Sequence, residues 1–258
     1  MRGLVSAIRT LTLLPAPGKD SEDLSESLPW FPAVGLLVGA GLWCLAEGWS
    51  RVPCGEWTAG GAMLLLVSDV LLTRGLHLDG LADWADARGG SREREGRLSI
   101  MKDSRIGAFG SIALLLVVLG KWVAFERMFL YGSFLGLIPA QIIPRAMMVE
   151  LMCTMPYARQ EAGTAQPFVA GASSGRRLWT LLIALFFCLC FGPGAGALFA
   201  VGWVITRILA GSFKRNFGGV TGDLLGAAHE MVETMLLILC ALGADAFPFN
   251  LGWWRFRG

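Results

Sequence analysis

The chain has 258 residues, of which 54% are hydrophobic and only 16% are charged. Because an average soluble domain carries about 25% charged residues, this composition excludes an ordinary soluble protein and indicates a polytopic membrane protein. The net charge of +2 is too small to indicate a protein that binds nucleic acid. No long linker or tandem repeat interrupts the chain, so residues 1–258 are predicted to form a single integral membrane domain.

The apolar stretches predict an all-α, polytopic membrane helix bundle of about seven spans. Residues 4–14 are expected to form a short interfacial helix. A span needs about 20 mostly apolar residues, although the fifth and sixth candidates are shorter and meet at the turn Gly192-Pro193-Gly194. Small residues near the start of the first span favour close helix packing. The candidate spans are residues 31–49, 57–76, 106–125, 134–153, 178–190, 194–209 and 231–247.

Basic residues are distributed unevenly between the two sides of this layout. If the N-terminus is cytoplasmic, the loop that contains Arg88, Arg97 and Lys102 is cytoplasmic too. The other side keeps only four basic residues, which are Arg51, Arg127, Arg255 and Arg257. This bias follows the positive-inside rule and predicts a cell (inner) membrane protein whose acidic motifs face the cytoplasm.

Three aspartates next to a membrane-length apolar run are the main candidate site. Asp79, Asp83 and Asp86 are spaced i, i+4 and i+7, which places them within roughly 60° of arc on one face of a helix. Like charges on one stripe repel one another unless a cation lies between them. Oxygen ligands at this density favour Mg²⁺, with Asp103 at the start of the next span as a further ligand. The competing interpretation is a solvated acidic face.

The residues within the fourth span leave two interpretations open. Arg145 and Glu150 are charged groups at membrane depth, where charges usually pair or line a polar cavity. A structural pair and a contact between Arg145 and a substrate phosphate are both consistent with this pattern. Lys121 lies nearer a span end and is expected to extend its ammonium group to the interface.

A second motif occupies residues 214–230. Gly218, Gly219 and Gly222 form a flexible turn whose backbone N–H groups can approach an anion. Thr221 is a candidate N-cap for the helix that follows, and Asp223 adds a carboxylate on the same membrane side as Asp79. The sequence therefore predicts that this turn and the aspartate stripe meet around a metal and a diphosphate. A plain turn that only caps its own helix is the alternative.

Four segments together resemble the cobalamin synthase family, the adenosylcobinamide-GDP ribazoletransferases. They are HLDGLADWADA, MKDSRIGAFG, GGVTGDLLGA and the earlier FPAVGLLVGA, in the order that the family has. The resemblance implies that a ribose hydroxyl of α-ribazole, or of its 5′-phosphate, attacks the cobinamide-side phosphorus of adenosylcobinamide-GDP, so that GMP leaves with the help of Mg²⁺. It also implies a bundle similar to that of the CDP-alcohol phosphotransferases.

The resemblance implies roles for individual residues. Asp79, Asp83 and Asp103 are the expected catalytic residues, with Asp103 either a metal ligand or the base. The expected metal ligands are Asp79, Asp83, Asp86, Asp103 and Asp223. The residues expected to bind substrate are His77, Lys102, Arg105, Arg145, Asn216, Gly218, Gly219, Thr221 and Gly222. The segment MPYAR fits the family less closely, and contacts assigned to it would be weak.

Two other functions remain as alternatives. A CDP-alcohol phosphotransferase of phospholipid synthesis would use similar carboxylates and release CMP. A cation-coupled transporter is disfavoured because its carboxylates would lie near mid-membrane between repeated halves. The expected partners are the two substrates and the lipid bilayer, without nucleic acid, and a homo-oligomer is left open. The six cysteines show no CxxC pair and predict neither disulfides nor a zinc site.

Overall fold

The protein is a bundle of helices in a computed structural model that describes residues 2–161 and 163–245. A short 3-10 helix, Leu24–Trp30, precedes α2. Within the described ranges the chain forms no strand, and Tyr157 and Val220 make an isolated bridge. The helices are α1 (Arg2–Leu11), α2 (Phe31–Trp49), α3 (Thr58–Thr73), α4 (Leu76–Gly90), α5 (Arg94–Ile100), α6 (Ala108–Tyr131), α7 (Leu137–Thr154), α8 (Gln166–Ala170), α9 (Ser174–Phe191), α10 (Pro193–Phe217) and α11 (Gly222–Leu242).

Six of these helices are long and apolar enough to cross a membrane: α2 together with the 3-10 helix, α6, α7, α9, α10 and α11. Helices α3 and α4 reach the required length only together, and they meet at an angle of 88°. The total is therefore six spans, or seven when the bent pair is taken as one. This result confirms the predicted all-α polytopic membrane bundle.

Several helices are longer than the apolar stretches that predicted them. The last span was expected from residue 231, but α11 begins at Gly222 because Thr221 caps it and the polar stretch after it is helical as well. The shorter fifth and sixth candidates become α9 and α10, which continue beyond their apolar cores. Gly192, with φ +126°, forms the predicted turn between them. Residues 246 and 247 of the last prediction lie outside the described part of the chain.

Helix α7 forms the centre of the bundle, and its residues 137–152 are all buried. It packs against α2, α9, α10 and α11. Glycines on α2 allow the closest of these contacts, because a Cβ at Gly35 would lie 2.5 Å from the carbonyl oxygen of Gln141 and one at Gly39 would lie 2.7 Å from the Cα of Ile138. The close packing predicted for the glycine-rich first span is confirmed.

Lys121 does not extend to the membrane interface as predicted but is buried between α3, α6 and α11. Its ammonium group lies 3.0 Å from the Asp69 carboxylate, 2.9 Å from that of Glu230 and 2.9 Å from that of Glu233. An isolated charge at this depth would cost several kcal/mol, so three carboxylates surround the amine. The sequence prediction failed because the position of Lys121 along α6 does not reveal carboxylates on other helices.

Gln141 and Arg145 connect the same polar region to α7. The Gln141 amide donates to Asp69 at 3.3 Å and to Glu233 at 2.8 Å, while Arg145 donates to the Gln141 side chain at 2.5 Å. With Lys121 and the three carboxylates around it, these two form what we term the buried ion cluster. Arg145 does not pair with Glu150, which instead accepts bonds from Arg177 at 2.6 and 2.9 Å.

Replacing the central amine of the buried ion cluster should destabilise the protein strongly. Lys121→Met leaves Asp69, Glu230 and Glu233 without their shared counter-ion, and we expect a loss of about 3–5 kcal/mol in the free energy of unfolding. Thermal unfolding of the purified protein in detergent measures the change. The matched control is Lys214→Met on the exposed surface of α10, which should unfold near the wild-type temperature. Equal unfolding temperatures for both variants would contradict a structural role for the cluster.

Candidate functional site

A sharp backbone turn sets the direction of the helix that carries the aspartate stripe. Arg74 and Gly75 both adopt left-handed conformations, with φ +60° and +62°. Glycine adopts this conformation without strain, but other residues rarely do. Arg74 is the one non-glycine residue in the described ranges that has a positive φ. The Arg74 guanidinium donates to the carbonyl oxygen of Arg9 at 2.7 Å, which ties the turn to α1. The turn therefore directs α4 across the end of the bundle.

Two of the three predicted stripe residues have free carboxylates. Among the described residues, neither Asp79 nor Asp83 has a side-chain hydrogen bond or ion pair, and Asp79 is exposed. Asp83 lies close enough to Asp223, Asp79 and Asp86 to be repelled by all three. The Arg159 guanidinium attracts Asp83, but among the described residues it does not bond to that carboxylate. Crowded carboxylates that no side chain binds provide the donor set and the negative field that a hard divalent cation needs.

Asp86 is engaged differently from the other two. Its carboxylate accepts hydrogen bonds from the backbone N–H groups of Gly107 at 2.7 Å and Gly110 at 2.8 Å. These groups begin α6, so Asp86 caps that helix from a neighbouring one and neutralises part of its dipole. A Cβ at Gly110 would meet the same carboxylate, which explains the glycine there. The structure thus gives Asp86 a bonding role of its own beside its predicted role as a metal ligand.

The two sequence motifs meet where α4 crosses α11. A Cβ at Gly80 would lie 2.6 Å from the carbonyl oxygen and 2.9 Å from the Cα of Asp223. One turn further along, a Cβ at Gly226 would lie 3.2 Å from the Cα of His77. Each helix thus presents a glycine at the crossing, so the backbones approach closely. Asp223 and the aspartate stripe are therefore adjacent, although about 140 residues separate them in sequence, while the metal and the diphosphate between them stay a prediction.

The glycine turn is fixed by its neighbours as well as by its own helix. Thr221 accepts a hydrogen bond from the N–H of Leu224 at 3.2 Å, which confirms the predicted N-cap. Gly218 is left-handed, with φ +78°. Arg94 on α5 donates to the carbonyl oxygen of Phe217 at 2.7 Å, and Val220 donates to that of Pro156 at 2.9 Å. The turn therefore caps α11 and also holds Asp223 beside the stripe, so the two interpretations do not exclude each other.

Arg159 is the residue that the sequence analysis missed. Its guanidinium lies 2.8 Å from the Asp223 carboxylate and 3.3 Å from the carbonyl oxygen of Met101. Its Nε atom is buried without a hydrogen-bond partner among the described residues. Arg159 belongs to the segment MPYAR, whose looser fit to the family predicts only weak contacts, and the structure instead pairs it with Asp223.

Two basic residues that precede α6 already form ion pairs with carboxylates of this chain. Lys102 lies 2.6 Å from Glu161, and Arg105 lies 2.6 Å from Asp103. Hydrogen bonds from the Arg105 side chain and backbone lower the pKa of Asp103 to about 2. A carboxylate with so low a pKa is a weak base at neutral pH, so this pairing favours a role for Asp103 in charge or position rather than in proton transfer.

Three other residues predicted to bind substrate, Asn216, His77 and Arg145, already have partners within the protein. Asn216 accepts a hydrogen bond from Arg97 at 2.9 Å and donates to Ser212 at 2.8 Å. His77 is buried, and its ring stacks on that of His229 with centroids 3.9 Å apart. Arg145 is part of the buried ion cluster and has no exposed surface. Its prediction as a phosphate contact finds no support in this location.

A cavity of about 830 Å³ adjoins the crossing of α4 and α11. Its wall includes His77, Asp79, Gly222 and Asp223, together with mostly apolar side chains from α1, α2, α6, α7 and α8. A second cavity of about 350 Å³ has a charged lining, with the basic residues Arg94, Lys102 and Arg159 and the acidic residues Glu95 and Glu161. Because Arg159 pairs with Asp223, this ion pair joins the linings of the two cavities. The candidate site thus places carboxylates beside an apolar cavity and a charged one.

The close helix crossing makes Gly80 sensitive to any side chain. Gly80→Ala places a Cβ against the backbone of Asp223, and we expect overpacking to cost about 1–3 kcal/mol in the free energy of unfolding. Thermal unfolding in detergent measures this loss. Gly41→Ala on α2 is the matched control, since nothing lies within 4 Å of a Cβ there. A Gly80 variant as stable as the Gly41 variant would contradict the described crossing.

Comparison with known proteins agrees with this geometry. The family model of cobalamin-5-phosphate synthase matches residues 3–241. The adenosylcobinamide-GDP ribazoletransferase of Chlorobium chlorochromatii is 44% identical, and the match covers 93% of this chain and 96% of the relative. Proteins with the same name from Chlorobaculum tepidum and Chlorobium phaeobacteroides are 42% and 39% identical, with 94% and 92% of this chain and 96% of each relative covered. No solved structure matches the chain significantly. Since the family model and these relatives both cover nearly the whole chain, the chain belongs to the cobalamin-5-phosphate synthase family.

Proposed function

We propose that this protein joins adenosylcobinamide-GDP to α-ribazole, or to α-ribazole 5′-phosphate, and releases GMP. The observation that carries this proposal is the set of free carboxylates at the crossing of α4 and α11, in a chain whose relatives bear the name adenosylcobinamide-GDP ribazoletransferase. The reaction forms a bond between a ribose hydroxyl oxygen and the cobinamide-side phosphorus. It breaks the bond between that phosphorus and the oxygen that leaves with GMP.

The carboxylates fit a divalent cation of the magnesium class. Asp79 and Asp83 have no side-chain partner within the described ranges, and Asp223 repels Asp83 although Arg159 binds it on one side. Asp79, Asp83 and Asp223 would therefore hold Mg²⁺, while Asp86 would keep α6 in place. When bound there, Mg²⁺ supplies Lewis-acid polarisation of the diphosphate and offsets its charge.

The remaining chemistry belongs to side chains of this chain. Arg159 orients Asp223 and, together with Lys102 and Arg105, provides positive charge for the diphosphate and for the departing GMP. A carboxylate oxygen of the Asp79 and Asp83 pair that is not engaged by metal accepts the proton of the attacking hydroxyl. Asp103, already paired with Arg105, holds that arginine in position.

The alternative of a CDP-alcohol phosphotransferase is not favoured. Such an enzyme would use a similar carboxylate site, so the geometry alone does not separate the two reactions. The relatives that cover more than nine-tenths of the chain carry the ribazoletransferase name. Release of GMP from adenosylcobinamide-GDP, compared with release of CMP from CDP-diacylglycerol, distinguishes the two functions directly.

Loss of either free carboxylate should abolish turnover without unfolding the protein. We expect Asp79→Asn and Asp83→Asn to lower the rate of GMP release by about a thousandfold or more, which is about 4 kcal/mol of barrier, because the metal and its electrostatic stabilisation are lost. Thermal unfolding should stay near the wild-type temperature. The assay uses purified protein, adenosylcobinamide-GDP and α-ribazole.

Two controls accompany this measurement. Glu47→Gln changes a carboxylate on α2 that pairs with Arg51 at 2.7 Å, remote from the stripe, and it should leave the rate within a factor of about two. Chelation by EDTA should stop the wild-type reaction, and added Mg²⁺ should restore it. Near-normal activity of the Asp83 variant would show that the stripe is a solvated face.

We also propose that the protein lies in the cell (inner) membrane with the carboxylates toward the cytoplasm. The basis is the density of basic residues in the segment that connects α4 to α6. In a chain whose other cysteines are replaced, Cys54 should react with an impermeant maleimide in intact cells. A cysteine introduced by Arg92→Cys into a chain in which Cys54 is replaced as well should react only after permeabilisation. Labelling of the Arg92 variant in intact cells would contradict this orientation.

A further inference from the structure

We propose that the 830 Å³ cavity beside the carboxylates binds the aromatic base of the nucleoside acceptor, with the ribose directed to Asp79 and Asp223. This inference deepens the proposed function and rests on it, because it assigns one of the two substrates to a defined part of the structure. The acceptor class is a riboside with a planar, apolar, bicyclic base. A cavity of this size is large enough for such a nucleoside.

The wall of the cavity suits a flat apolar ring. Phe31 at the start of α2 and Phe168 on α8 both line it, and their rings contact each other edge to face with centroids 6.2 Å apart. Met148 and Met152 on α7 line it as well. Aromatic edges and thioether sulfurs make favourable contacts with a third aromatic ring and adapt to its outline. These side chains offer almost no hydrogen bonds, so they favour a base without a polar edge.

The polar part of the wall includes the candidate active site, with Thr10, Arg74 and Thr164 as further polar lining residues. Asp79 and Asp223 line the cavity and are held together by the contact of Gly80 with the Asp223 backbone. A nucleoside whose base occupies the apolar part therefore has its ribose hydroxyls near the carboxylates. That arrangement places the nucleophile next to the groups proposed to hold the metal and to accept the proton.

The other parts of the two substrates fit this cavity poorly. A corrinoid ring carries amide arms around its edge, and burial of these amides against Phe, Met and Leu side chains would leave their hydrogen bonds unmade. The GMP half carries anionic phosphate, and the smaller cavity offers three basic side chains against two acidic ones, whereas the larger cavity is mostly apolar. Because the nucleophile and the leaving group lie roughly in line across the phosphorus, two cavities joined through the Arg159–Asp223 pair match the reaction.

A change of cavity size should alter recognition of the acceptor alone. Met152→Trp fills part of the cavity, and we expect the KM for α-ribazole to rise at least tenfold while the KM for adenosylcobinamide-GDP stays within twofold. A riboside with the smaller base imidazole should be affected less, so the variant should lose its preference for the bicyclic base. Met148→Phe is a milder second variant in case Met152→Trp does not fold. Met63→Trp, at a position on α3 that is 48% exposed, is the matched control and should leave both KM values unchanged.

The outcomes separate this inference from the proposed function. A wild-type protein that releases no GMP with either acceptor form contradicts the proposed function. If the wild type is active, an unchanged KM for α-ribazole in both cavity variants overturns the inference and leaves the function standing. A rise in the KM for adenosylcobinamide-GDP alone would place the donor in the cavity and would also overturn it. The expected split, with acceptor KM raised and donor KM constant, is a result that simple destabilisation does not produce.

Discussion

The close crossing of α4 and α11 is the contact on which the site depends. Gly80 lies against the backbone of Asp223, and Gly226 lies against that of His77, so neither helix can carry a larger side chain at the crossing without moving apart. The left-handed residues Arg74 and Gly75 give α4 the direction that makes this contact. Steric constraint at these few positions thus brings together carboxylates that are remote in sequence, and everything proposed about catalysis requires that proximity.

The protein contains two groups of carboxylates with different partners. In the buried ion cluster, Asp69, Glu230 and Glu233 surround Lys121 and are connected by Gln141 to Arg145 on α7. Within the described ranges, Asp79 and Asp83 have no such cation. Removal of the cation from such a buried group leaves unpaired charges and is strongly destabilising, whereas the crowded carboxylates of the candidate site are the ones proposed to hold a metal. The difference in pairing, rather than acidity itself, distinguishes the structural group from the candidate site.

Charged residues also link the candidate site to its surroundings. Arg159 pairs with Asp223, Arg94 binds the carbonyl oxygen of Phe217, and Asp86 caps α6. Each contact fixes a backbone segment that borders a cavity. The positions of the apolar cavity and of the smaller, charged cavity relative to the carboxylates are therefore fixed. Under the proposed function, a site built in this way would hold an apolar group and an anionic group on two sides of one cluster of carboxylates. This arrangement agrees with a transfer between an aromatic nucleoside and a nucleotide diphosphate.

The sequence by itself determined the helical membrane class, the approximate positions of six spans, the helical stripe of Asp79, Asp83 and Asp86, the Thr221 cap and the family. These features depend on the local periodicity of side chains, on the length of apolar segments and on short motifs, all of which involve residues close together in sequence. The span predicted over residues 57–76 is instead α3, which reaches membrane length only together with α4. Only the tertiary structure decided the partners of the charged residues. Lys121 is buried and not at the predicted interface, and Asp86 caps another helix. Arg145 bonds to Gln141 and not to Glu150, and Arg159 pairs with Asp223. The physical reason is that an ion pair or a helix crossing joins residues distant in sequence, and its geometry exists only after the helices have packed.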